Sequence, residues 1–186
     1  MCASPRQSAP LSCQYPEGAS YFAFEGAFDY ARSAVIRIPK CAVDGNDIAA
    51  HTNYIISSLD VLVEEMGGSL VLFASRKQMQ EVYNQISTEL RRDVLMQGQF
   101  SHSEIRRIHV KRVDSDSRSI IFGLATFSEG IDLPGDYCRH VVIAKLPFSV
   151  PNEPQHEALC EWIESEGGNA FFDISLPTAS LRLNQA

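Results

Sequence analysis

The residues best equipped for chemistry lie just past a short apolar run. Residues 120–124 are apolar and rich in β-branched types, and the stretch after them carries Glu129, Gly130, Asp132, Pro134 and Gly135. Glu129 and Asp132 place two carboxylates on that loop, and no metal site is expected there. Gly130 lets the backbone take angles that other residues avoid and lets a ligand approach closely. An ordinary surface loop with solvated acids accounts for the same residues, because short glycine-bearing loops are common.

A loop can do such work only if strands and helices hold it, and the chain alternates between the two. Residues 1–20 are rich in Pro, Ser and Ala and suit a poorly ordered leading segment. Residues 21–24 and 34–38 are aromatic or β-branched, and each suits a strand, the second stopped by Pro39. Residues 46–66 predict a long amphipathic helix, capped by Asp44 or Asn46 and stopped by Gly67-Gly68. Residues 69–74 predict a strand and 77–90 a helix; residues 94–96 predict a short strand ending in Gln97-Gly98-Gln99. A helix capped by Ser101 or Ser103 runs to about Val113, and a buried strand follows over 119–124. Residues 140–146 predict another buried strand, and residues 155–165 a helix anchored by Leu159 and Trp162. A short apolar link, residues 170–174, leads to a last helix capped by Ser175 or Thr178.

Short strands alternating with helices demand right-handed crossovers, hence an α/β fold with a parallel sheet and helices on both faces. Loops at the carboxyl ends of the strands then share one sheet edge. Residues 75–77, 97–99 and 125–135 become neighbours in space although they are distant in sequence.

Bulk properties narrow the class. A chain of 186 residues, 45% hydrophobic and 21% charged, has the composition of a soluble globular domain. No stretch is long and apolar enough to span a membrane, and the amino terminus lacks the features of a signal peptide, so a cytoplasmic location is the expectation. Cys2, Cys13, Cys41, Cys138 and Cys160 are widely spaced with no CxxC pair, so they are expected to be reduced, mostly buried thiols rather than metal ligands. The net charge of −7 argues against nucleic-acid binding by the whole surface, but it is unevenly spread. Residues 76–118 carry nine bases against six acids, while residues 1–75 and 119–186 are acidic. Arg76, Lys77, Arg91, Arg92, Arg106, Arg107, Lys111, Arg112 and Arg118 are therefore candidates for a basic face, with ordinary helix-surface charge as the plain alternative.

The stretch Phe122-Gly123-Leu124, then Phe127-Ser128-Glu129-Gly130-Ile131-Asp132-Leu133-Pro134-Gly135, resembles motif V of the DinG and XPD-like branch of superfamily 2 DNA helicases. Two flanking matches fall in the right order. Residues 28–39 resemble the opening of the second motor domain, with Gly26-Ala27 where such helicases usually carry Ser-Pro. The final SLRLNQA resembles the approach to motif VI, with Gln185 as its first position. Together the matches cover residues 28–186.

The resemblance implies a truncated second RecA-like motor domain over residues 21–186, part of a longer protein that continues past Ala186 into the motif VI arginines. It implies a parent that hydrolyses ATP with Mg²⁺, carries a 4Fe-4S cluster elsewhere in its chain, and moves 5′ to 3′ on single-stranded DNA. Carried over by position, Ser75, Arg76 and Lys77 fall in the motif IV place, where a hydroxyl and cations can hold DNA phosphates. A helix N-cap and solvated bases are the structural alternative. Thr126, Phe127 and Ser128 open motif V and would contact the DNA backbone, with core packing the alternative for Phe127. Glu129, Gly130, Asp132 and Gln185 would face the nucleotide cleft. The chain has no GxxxxGK[ST] and no DEAH-like tetrad, so in isolation it is expected to be inactive. The other motor domain would be its partner, and no membrane is involved. Two other readings stand beside this one. A self-contained nucleotide-binding α/β enzyme would need a phosphate loop after its first strand, whereas Gly67-Gly68 precedes one. A non-catalytic α/β interaction module would make no localised DNA contact.

Overall fold

In the computed structural model, residues 30–40, 43–44, 47–63, 67–124, 127, 130–148 and 154–185 are described. The chain divides into two units, Met1–Ala42 and Val43–Ala186. The described part of the first is a single helical turn, α1 (Tyr30–Ser33), followed by residues 34–40 without regular structure. The strand expected over residues 34–38 is not formed. Val35, Ile36 and Ile38 are each more than four-fifths exposed. β-Branched residues favour a strand only where a neighbouring strand takes their hydrogen bonds and packs their side chains, and this segment joins no sheet. The strand expected at residues 21–24 lies outside the described residues.

The second unit is built on four parallel strands: β1 (Gly68–Phe73), β2 (Val94–Met96), β3 (Ser119–Leu124) and β4 (His140–Ile143). Their order in the sheet is β2-β3-β1-β4. β1 and β3 run in register from Gly68 opposite Ser119 to Phe73 opposite Leu124. All six residues of β1 and the first five of β3 are buried, as central parallel strands covered on both faces should be.

Successive side chains point to opposite faces, and this alternation divides the core in two. Val71, Phe73, Ile120, Phe122, Val94 and Met96 join one cluster, while Leu70, Leu72, Ile121 and Leu95 join the other. The first cluster is covered by α2 (Ile48–Leu62), α3 (Arg76–Gln85) and α4 (Thr88–Asp93), through Ile55, Leu59, Met79, Val82 and Leu90. The second is covered by α5 (His102–Val113) and the segment after β3, through Ile105 and Phe127. Handedness explains the division. From β1 to β2 the chain moves one way across the sheet, and from β2 to β3 it moves back. Right-handed crossovers therefore place the intervening helices on opposite faces.

Local chemistry sets the helix ends. Asp47 caps α2 by accepting the Ala50 amide at 3.0 Å. The expected helix over residues 77–90 is two helices instead. Ile86 turns extended, and Ser87 starts α4 by accepting the Leu90 amide at 3.2 Å. The Arg91 guanidinium spans the break, donating to the terminal carbonyls of Asn84 and Ile86. α2 and α3 are joined by buried Gln78, whose Nε2 lies 3.2 Å from Thr52 Oγ1.

Beyond β3 the expectations need further correction. The strand expected over residues 140–146 stops at Ile143 and is not fully buried. Val141 and Ile143 are about two-fifths exposed, β4 being the last strand of the sheet among the described residues. α6 (Pro154–Ser165) is anchored by buried Ile163; Leu159 and Trp162, expected as anchors, are 38% and 50% exposed. The apolar link is a turn of π-helix, Phe171–Ser175, in which the Leu176 amide reaches back to the Phe171 carbonyl. It runs directly into α7 (Leu176–Gln185), so neither Ser175 nor Thr178 opens a new helix. Cys138 and Cys160 are free thiols, half-buried rather than buried, and burial pushes the Cys138 thiol above its ordinary pKa. Among the described residues no helix is long and apolar enough to cross a membrane.

Candidate functional site

β1 and β3 are neighbours, and the connections that follow them leave toward opposite faces of the sheet. Such a pair opens a crevice at the carboxyl ends of its strands, where open α/β sheets place their ligands. One lip of the crevice is the start of α3, and the other is the segment after β3.

On the first lip, Ser75 takes the N-cap position of α3, its hydroxyl oxygen accepting the Gln78 amide at 3.5 Å. The hydroxyl proton is left to donate elsewhere. Arg76 and Lys77 follow in the first turn, both exposed. Their cations add to the positive end of the helix, an arrangement suited to an anion. Arg76 also reaches the loop after β2. A Cβ built on Gly98 would lie 4.0 Å from its Nη1, and Gly98 has φ +96°, a conformation that favours glycine.

That loop is tied to the other lip. The Gln97 amide donates to the Phe122 carbonyl at 2.8 Å, and Gln97 Oε1 accepts the Leu124 amide, also at 2.8 Å. Arg76 thus comes near Gly98, and Gln97 is bonded to the last residue of β3, just before the third expected segment.

Past Leu124, Phe127 is fully buried. Its ring packs over Gly123, where an added Cβ would come within 2.9 Å of it, and lies 4.4 Å from the His102 ring. The Phe127 side chain is thus occupied in the core, and any contact it makes with a ligand is through its backbone. Gly130 and Asp132 are exposed on the turn that follows, and the Asp132 carbonyl accepts from Arg106 Nε at 3.1 Å. The segment closes in a 3₁₀ turn, Gly135–Cys138. There the Tyr137 carbonyl lies 2.7 Å from His109 Nε2, whose other ring nitrogen meets the Ser119 hydroxyl at 2.8 Å. A carbonyl can only accept, so Nε2 carries the proton and Nδ1 accepts from Ser119. Burial lowers the His109 pKa; the Tyr137 carbonyl opposes that shift and Arg112 adds to it. Tyr137 Oη donates to Asp114 Oδ1 at 2.9 Å, which raises the phenol's pKa. Thr126, Ser128 and Glu129 lie outside the described residues. Gln185 is the last residue of α7.

The expected basic face is smaller than the sequence suggested. Arg91 satisfies helix carbonyls, Arg106 holds Asp132, Arg112 donates to the Asp93 carbonyl at 2.9 Å, and Arg118 pairs with the Asp93 carboxylate at 2.8 Å. These four guanidinium groups are committed to the fold, while Arg76 and Lys77 stand at the crevice. Sequence reasoning named Gln97 at a strand end and Arg106 among the candidate bases, but gave no positioning role to Gln97, His102, Arg106 or His109. The last three carried a signal, because spacings of four and three residues put them on one face of α5.

The parallel sheet with helices on both faces is that of an α/β domain of the RecA-like class. Residues 58–186 match the family model described as the helicase C-terminal domain. The chain is 37% identical over 169 residues to the "ATP-dependent DNA helicase DinG" of Photobacterium profundum, covering 89% of this chain and 24% of that protein. It is 32% identical over 177 residues to the protein of the same name from Escherichia coli K12, covering 90% of this chain and 24% of that one. The chain belongs to the helicase C-terminal domain family, in its DinG-type branch, and spans about a quarter of the length of the curated relatives it matches.

Proposed function

We propose that this chain supplies the strand-gripping and coupling part of an ATP-dependent DNA helicase that moves 5′ to 3′ on single-stranded DNA. The observation that supports the reading is the topology: β1 and β3 are neighbours whose following connections leave toward opposite faces, with Arg76 and Lys77 exposed after the one and Gly130 and Asp132 exposed after the other. In this reading the Ser75 hydroxyl, Arg76 and Lys77 hold backbone phosphates, and Thr126, Phe127 and Ser128 touch the same strand, Phe127 through its main chain. Glu129, Gly130, Asp132 and Gln185 face ATP bound against a first motor domain.

The residues fit a supporting role toward the nucleotide. Exposed Gly130 allows close approach, and the exposed Asp132 carboxylate can accept hydrogen bonds from hydroxyl or amino groups, while it would repel bare phosphate. Bound ATP supplies the free energy that alternates the grip of the two motor domains. Among the described residues, no three His, Cys, Asp or Glu side chains gather as metal ligands. Mg²⁺ and the 4Fe-4S cluster are assigned here to other parts of a complete helicase, as is the hydrolytic machinery. The isolated chain is expected to show no ATPase activity.

The test is a backbone amide NMR titration of this chain with single-stranded DNA at two salt concentrations. Salt-sensitive shifts confined to residues 75–77 and 126–128 are expected. The same titration on a complete helicase carrying the Arg76→Ala and Lys77→Ala changes should show weakened binding. Unaltered DNA affinity there would overturn the reading in favour of a protein-interaction module.

A further inference from the structure

Among the described residues of the segment after β3, Phe127 and residues 130–138, few backbone hydrogen bonds are internal to the segment. It contains Gly130, Pro134 and Gly135, and its own backbone bonds are long: Gly130 N to Phe127 O at 3.3 Å, Tyr137 N to Pro134 O at 3.4 Å. Its order comes largely from outside: Ile131, Leu133 and Cys138 pack against the core of the sheet, and the side-chain hydrogen bonds to its carbonyls come from one helix. His102, Arg106 and His109 lie along one face of α5, and each meets the segment at a different point. The His102 ring packs on the Phe127 ring and lies beside the Gly130 backbone, where an added Cβ would be 3.6 Å from Nδ1. Arg106 Nε holds the Asp132 carbonyl at 3.1 Å, and His109 Nε2 holds the Tyr137 carbonyl at 2.7 Å. The points of attachment fall at residues 127, 132 and 137, so the stripe follows the segment along its length.

We infer that α5 is a positioning clamp: His102, Arg106 and His109 pre-order Phe127 and residues 130–138 so that their part in gripping a DNA strand does not have to be assembled at each binding event. None of the three needs to touch the strand. A loop that is ordered only on binding subtracts its ordering entropy from affinity, and a loop ordered in advance does not. His109 anchors the far end most firmly, because its other nitrogen is fixed by Ser119 of β3. Arg106 and His102 hold the exposed half, where the chemistry is. The inference rests on the DNA-binding reading above for its purpose, but not for its structural content.

Two readouts separate them. Amide hydrogen exchange is measured on this chain for wild type, His102→Ala and Arg106→Ala, with His102→Phe as the variant that keeps the ring contact. Faster exchange at the Gly130 amide is expected in both alanine variants, by several-fold, with the Tyr137, β1 and β3 amides unchanged and His102→Phe close to wild type. A global loss of stability would instead raise exchange in the strands too, and that result overturns the clamp, as does unchanged exchange in the segment. Single-stranded DNA affinity, measured on a complete helicase, is expected to fall several-fold with each alanine change and recover with His102→Phe. Looser exchange with unaltered DNA affinity would overturn the clamp's role in gripping. If the wild-type helicase bound DNA without these loops, the functional reading would fall, while the exchange result would still decide whether α5 orders the segment.

Discussion

Gln97 Oε1 accepts the amide of Leu124 at 2.8 Å. With the Gln97 amide bonded to the Phe122 carbonyl, this side chain continues the β2–β3 ladder one step past the last residue of β2. It joins two loops where the sheet would otherwise splay. Replacing Gln97 with Leu keeps the bulk and leaves the half-buried Leu124 amide unpaired, so a loss of about 1–2 kcal/mol is expected. Urea denaturation measures that loss. The Gly130 turn should also broaden in amide spectra, whereas Gln97→Glu, which keeps an acceptor, should retain the turn.

Gly68 shows how closely the base of the site is packed. A Cβ there would lie 2.0 Å from the Tyr137 carbonyl oxygen and 2.8 Å from His109 Nε2. Both neighbours are held, one by backbone and one by burial, so neither can yield cheaply. Gly68→Ala is expected to destabilise the chain by about 2 kcal/mol or more. The shift in the urea midpoint checks this, and a midpoint equal to wild type would mean that the 3₁₀ turn moves freely.

The parallel sheet was legible because its central strands are continuous apolar runs, and the switch of face after β2 follows from handedness alone. The ends were less so. Residues 34–38 have the types of a strand, but whether they form one depends on a partner that composition cannot reveal. Residues 77–90 read as one helix because Ser87 is as ordinary inside a helical pattern as at a cap. Its capping role appears only once Arg91 is seen to hold the carbonyls behind it. At the site, Arg76 and Asp132 were visible as charges. Arg106 was visible as a charge as well, and the spacing of His102, Arg106 and His109 as one helix face; their partners were not, because these are backbone atoms and a ring some 25 residues away, and no local pattern records such pairings.

His109 should leave a mark on the pH dependence of stability. Its folded pKa is lowered from the ordinary 6.5, chiefly by burial. The unfolded chain therefore takes up a proton more readily than the folded one. Stability from this group is full above about pH 6.5, falls as pH drops below it, and levels off under the folded pKa. Urea midpoints at pH 7.5, 6.0 and 5.0 should decline for wild type. The His109→Gln variant, which offers a donor for Tyr137 without titrating, should decline less over the same window. Parallel declines would assign the slope to other groups.

Gly123 and Phe127 offer the cleanest separation of site geometry from stability. The Phe127 ring fills the space over Gly123, and an added Cβ would come 2.9 Å from Cδ1 and 3.1 Å from the Phe127 Cβ. A ring that also packs against His102 can shift only with the backbone that carries it, which leads on to the turn at Gly130. Gly123→Ala is thus expected to displace that turn at modest cost, about 1–3 kcal/mol. In a complete helicase it should weaken single-stranded DNA binding by roughly tenfold, the equivalent of about 1.4 kcal/mol. Combining it with Phe127→Leu, which gives the methyl room, should restore part of the stability. The DNA affinity should return with it only if the turn's position, rather than the aromatic ring, sets the grip. Anisotropy titrations on the single and double variants decide between the two, and a double variant that is stable yet still weak would assign the grip to the ring.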